Sequence, residues 1–156
     1  MSFEPNDGSL DRYDRKILDI LSRDGRLTIT ELANKVGLSK SPCQVRMRRL
    51  EKDGYILGFR AVLNPIKLSL DHVAFVEVRL TDTTEPALRA FNLAVLDVPQ
   101  IEQCHMIAGS FDYLLKIRTQ NIRVYRQVLG ATISNLPHVG STSTHVSMES
   151  VKDNAF

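Results

Sequence analysis

Two stretches of this chain carry residue types whose spacing could do chemistry. The first is Ser39 to Gly54, SKSPCQVRMRRLEKDG, in which five basic residues (Lys40, Arg46, Arg48, Arg49, Lys52) stand against two acidic ones, Glu51 and Asp53. Turned at about 100° per residue, Cys43, Met47 and Leu50 share one narrow apolar face, with Gln44, Val45, Arg48, Arg49 and Lys52 opposite. Ser41 is expected as the N-cap, Pro42 as the first helical residue and Gly54 as the stop. A short helix with a thin apolar seam and a basic outer face suits an anionic partner; a solvated surface helix is the alternative. The second stretch is Gly109-Ser110-Phe111-Asp112. A glycine turn can offer bare backbone N–H groups to a carboxylate, and Asp112 can take an ammonium through a charge-assisted hydrogen bond. Those two groups at that separation are the two ends of a free amino acid. The competing reading is a hairpin in which Asp112 only caps the turn.

Catalytic readings find little support. Cys104 and His105 are neighbours on one strand and point to opposite faces, so they make no dyad. His72, His105, His138 and His145 show no metal-ligand spacing with Cys43 and Cys104. No phosphate loop or dinucleotide fingerprint is present. The expectation is a protein that is not an enzyme and holds no cofactor or metal.

The elements that must position these stretches follow in order. Met1 to Ser9 is polar and expected as a loose arm. Asp11 caps a helix, with Asp14 in its first turn and Tyr13, Ile17, Ile20 and Leu21 on its buried side, ending at Asp24-Gly25. Thr28 and Glu31 spell a capping box, Ile29, Leu32, Ala33 and Val36 form an apolar stripe, and Gly37 terminates the helix. Only Gly37 to Lys40 then precede the basic helix. Two short helices joined by a tight glycine turn, the second one basic, make a helix-turn-helix; a plain three-helix packing unit is the alternative.

Tyr55 to Leu63, YILGFRAVL, predicts a strand stopped by Asn64-Pro65 and lacking a partner, which would pair with its copy in a second subunit. Beyond it the pattern predicts strands at His72–Leu80, Ile101–Ala108, Phe111–Thr119 and Val139–Glu149. Helices are expected at Thr84–Leu96 and Asn121–Asn135, the latter burying Ile122, Tyr125, Leu129 and Ile133. The Gly109-Ser110 pair would be the tight turn between the middle strands. The order βαββαβ is the ferredoxin-like split unit, whose uncovered face, including Val73, Phe75 and Leu114, invites another sheet. The fold class is therefore α+β: a winged-helix-like domain at 1–54, a linker strand at 55–65, and a ferredoxin-like domain at 66–156. An RNA-recognition domain shares that second fold, but the inner strands lack its aromatic pattern.

Composition bounds the rest. In 156 residues, 43% hydrophobic content is ample for packed cores, and the net charge is only +2. It is spread mildly: net +3 over residues 1–64 and −1 over 65–156. No apolar run approaches a membrane span and no signal peptide is read at the start. Two distant cysteines fit a reduced, cytoplasmic compartment.

The motifs LDRYDRKILDIL, GRLTITELANKVGLS, SPCQVRMRRLEKDGYILGF, LNP and QCHMIAGSFDYLLK resemble the Lrp/AsnC, or feast/famine, transcription regulators from about Leu10 to Lys152. Within that family the chain resembles members that activate proline-catabolism genes. The resemblance implies a DNA-binding domain and a ligand-responsive domain, in dimers that often assemble into octamers, with amino acids tuning DNA binding. For DNA the candidates are Ser39, Lys40, Ser41, Gln44 and Val45 at the leading end of the helix, where bases are read. Arg48, Arg49 and Lys52 are candidates for phosphates, Arg49 alternatively pairing with Asp53. For the effector, Gly109, Ser110, Phe111 and Asp112 are joined, by resemblance, by His105, Met106, Thr132 and Val146 as walls of a pocket between dimers. The rival functions are an effector-independent architectural DNA binder and an amino-acid sensor acting through another protein.

Overall fold

A computed structural model describes residues 10–152; the arm at 1–9 lies outside them. The chain divides into two compact units at Val62/Leu63.

The first unit is three helices: α1 (Arg12–Leu21), α2 (Ile29–Val36) and α3 (Lys40–Lys52). Asp11 starts α1 by accepting the N–H groups of Tyr13 and Asp14, and Asp14 returns a carboxylate oxygen to the Asp11 N–H at 3.1 Å. Thr28 and Glu31 make the same reciprocal bond at the head of α2. Both boxes satisfy donors that a helix start leaves orphaned. Gly37 ends α2 at φ +85°, a conformation that costs other residues a Cβ clash. The α1 helix stops at Leu21, before the expected Asp24-Gly25. The α3 helix begins earlier than its Ser-Pro signal predicts: Ser39 is the cap and Pro42 sits third. The missing N–H is harmless anywhere among the first four positions, so Pro42 does not mark the helix start. Ile17, Leu32, Ala33, Val36, Cys43 and Leu50 close the core. Each large apolar side chain buried there contributes about 1.5–3 kcal/mol.

Residues 55–63, where the sequence predicts a linker strand, form no strand within the chain; Tyr55 and Ile56 instead return their N–H groups to the Leu50 carbonyl at the end of α3. Leu57 and Val62 are almost wholly exposed, 96% and 98%. Asn64 then caps a short turn through Lys67.

The second unit runs β1 (His72–Leu80), α4 (Glu85–Leu96), β2 (Ile101–Met106), β3 (Tyr113–Thr119), α5 (Ile122–Ala131) and β4 (Val139–Val146). The strands pair antiparallel in the order β2-β3-β1-β4. Ala74, Val76 and Val78 of β1 and Tyr113, Leu115 and Ile117 of β3 face Phe91 of α4 and Tyr125 of α5. Both helices thus cover one face, as βαββαβ order requires. Ile122 is 52% exposed, contrary to expectation, because α5 starts there and its buried stripe begins at Tyr125. The helix also gives way to a tighter turn at Ile133–Asn135.

The opposite face is less open than the alternation implies. Val73 is buried, and Phe75 and Leu114 are half-buried. Glu102 bridges Lys116 at 3.4 Å and pairs with Arg118, while His145 meets Glu77 at 3.2 Å.

Candidate nucleic-acid interface and effector loop

The α3 helix presents the expected face. Cys43 and Leu50 are fully buried, with Met47 packed against the same core. Ser39, Lys40, Ser41, Gln44, Arg48 and Lys52 are exposed, as is Val45 at 67%. An exposed valine beside an exposed glutamine at the leading end of a helix can meet a thymine methyl and an adenine edge. Burial pushes the Cys43 thiol up, against the opposing pull of Arg46.

Two of the basic residues point elsewhere. Arg46 Nη1 lies 2.6 Å from Asp11 and 2.9 Å from Asp14, with its guanidinium 5.4 Å from the Tyr13 ring centre. Arg49 Nη2 lies 2.5 Å from the other oxygen of Asp14. Asp14 is 1% exposed, so α3 reaches back to a carboxylate buried at the start of α1. Arg49 therefore pairs with Asp14 and not with Asp53. The sequence reading missed this link because its partners stand 32 and 35 residues apart. Its one signal was an aspartate on the core side of an otherwise apolar helix stripe. The Asp14 hydrogen bond outweighs desolvation and, with Asp11, raises Arg46 further above its ordinary value.

The effector loop differs from a tight hairpin. The strands end at Met106 and begin again at Tyr113, so Gly109 and Ser110 lie in a longer connection from Ile107 to Asp112. Asp112 ties this connection to β1. Its N–H donates to Val78 at 2.9 Å, its carbonyl accepts from Ile107 at 2.8 Å, and its Oδ2 accepts from the Leu80 N–H at 2.7 Å. The residue closes the end of β1, while the pairing of Met106 with Tyr113 and the bond from Ile107 to Asp112 keep the connection centred on Gly109-Ser110. Gly109 and Ser110 are exposed; Phe111 and Asp112 are half-buried.

His105 and Met106 are exposed on the last residues of β2, next to this loop, Met106 at 57%. Thr132 follows the end of α5 and is half-buried. Val146 is remote. It pairs with Ala74, whereas Asp112 bonds Leu80, six residues along the same strand and so about 20 Å away. One chain does not bring the candidate walls together. Among the described residues no group of three or more His, Cys, Asp or Glu could hold a metal ion. No described helix is long and apolar enough to cross a membrane.

Comparison with known proteins follows this division. Residues 10–56 match the winged helix-turn-helix DNA-binding family, and residues 73–155 match the Lrp/AsnC ligand binding domain. The chain is 61% identical over 144 residues to the proline dehydrogenase transcriptional activator of Rhizobium radiobacter, covering 92% of each. It is 46% identical over 143 residues to the leucine-responsive regulatory protein of Escherichia coli K12, covering 92% of this chain and 87% of that one. A transcriptional regulator of Neisseria meningitidis solved with L-Met superposes with a TM-score of 0.86 at 30% identity, covering 93% and 94%.

Proposed function

The chain belongs to the Lrp/AsnC family of DNA-binding transcription regulators, and on that footing we propose that an amino acid, bound between copies, resets how the DNA-reading helices are presented. The parts would be a helix-turn-helix domain at 1–54, a linker strand at 55–65 and a sensing and assembly domain at 66–156. Lys40, Ser41, Gln44 and Val45 read bases, and Arg48 and Lys52 hold phosphates. His105, Met106 and the 109–112 loop meet Thr132 and Val146 of other copies around the ligand. The observation that carries this reading is the separation of Val146 from Asp112 along β1: if both line the ligand, they come from different copies. The L-Met complex of the Neisseria regulator and the proline-linked name of the Rhizobium relative support an amino acid as effector. Dimers formed through residues 55–63, joined into octamers in the cytoplasm, complete the proposal.

One observation favours the architectural alternative: Asp112 already spends an oxygen on Leu80. Thermal-shift screening against the twenty amino acids, with salt-dependent binding to one promoter fragment, decides between them. A stabilising amino acid that also shifts DNA binding supports effector control. Binding that no amino acid alters overturns it.

A further inference from the structure

We infer that Asp14 is a positioning residue for DNA recognition, and that Arg46 and Arg49 belong to its internal brace and not to the set of phosphate ligands. Three observations meet here. Asp14 is buried and sits where α1 begins, fixed there by its return bond to Asp11. Each of its two oxygens takes a different arginine, one turn apart on α3, at 2.9 and 2.5 Å. The arginines line a surface groove with Asp11, Pro42 and Val45, the same Val45 that stands exposed at the leading end of α3. A bidentate carboxylate gripping two successive turns resists both rotation and sliding of a helix, and a second carboxylate, that of Asp11, meets the same Nη1 of Arg46 at 2.6 Å. The brace therefore sets which edge of α3 faces the duplex, and its charges are neutralised within the unit. Arg46 and Arg49 keep 27% and 44% of their side-chain surface exposed, so loss of Asp14 leaves Arg49 without its carboxylate and Arg46 with Asp11 alone at that surface.

Counterion release reads this directly, since each phosphate contact contributes about −0.9 to the slope of log affinity against log salt. The full-length protein and its Arg48→Ala, Arg49→Ala and Asp14→Asn variants would be titrated with a random-sequence DNA duplex over a range of salt. Arg48→Ala should flatten the slope by about 0.9 per bound subunit. Arg49→Ala should leave the slope at the wild-type value while lowering the melting temperature. Asp14→Asn, nearly isosteric, should steepen the slope, a change that a purely structural role would not produce. A flattening by Arg49→Ala equal to that of Arg48→Ala overturns the inference. So does an Asp14→Asn protein that is folded with an unchanged slope. Should Asp14→Asn fail to fold, Arg49→Ala and Arg46→Ala still decide by the same measurement.

Discussion

The ring of Phe59 packs over Gly25: a Cβ added at residue 25 would stand 3.0 Å from Phe59 Cδ1. Phe59 is still half-exposed, so this contact only partly employs it. We expect Phe59→Asp to yield monomers on size-exclusion chromatography and to abolish tight operator binding, because the linker strand then loses its partner. The change also removes the Gly25 contact, at a cost of about 1 kcal/mol in unfolding. A variant that is less stable yet still dimeric would assign the main interface to the sheets.

The bond from Leu80 to Asp112 separates structure from sensing. Asp112→Asn keeps an acceptor for the Leu80 N–H, so its unfolding free energy should stay near wild type while effector affinity falls with the charge. Asp112→Ala should lose affinity too, and a further ~1 kcal/mol of stability. Calorimetry and thermal unfolding on both variants give the two readouts. Equal affinity in wild type and Asp112→Asn would move the ammonium's partner elsewhere.

Gln44 and Arg48 stand on the same exposed face and should fail differently. Gln44→Ala should relax preference at one base position by ~1–3 kcal/mol in a binding-site selection. Arg48→Ala should weaken all sequences alike. If Gln44→Ala leaves specificity intact, α3 meets DNA by another edge.

The capping box at α2 makes an acid-side prediction. The Thr28 hydroxyl first, and then its N–H, hold the Glu31 carboxyl below its ordinary range. A folded value below the unfolded one means stability present above the unfolded value and lost as pH falls through the folded one. Glu31→Gln should flatten the melting temperature against pH in that acid window and change little near neutrality. An unchanged pH profile would remove Glu31 from the account.

Local signals were readable and distant ones were not. Thr28 and Glu31 settle a helix start within four residues, and the alternation of Ala74, Val76 and Val78 settles a strand face, so the order βαββαβ followed. The start of α3 was misjudged because a helix start tolerates proline at several positions, and Pro42 sits at the third. The brace of Asp14 and the bond from Leu80 to Asp112 both join residues more than thirty apart, and no spacing rule reaches that far. The exposed face of α3 was legible because its buried side is only Cys43, Met47 and Leu50; which cations on it are already neutralised was not.

The place of β1 between β3 and β4 bears on how the protein is made. Every contact of the helical unit's core is in hand once residue 56 has left the ribosome. The central strand, by contrast, keeps one edge bare until the last element, Val139–Val146, emerges. Unpaired strand edges attract other chains, and long-range pairing is slow. Synthesis thus completes the DNA-reading unit first and the sensing unit last, and a chain stopped before residue 139 carries finished helices and an open, adhesive sheet edge.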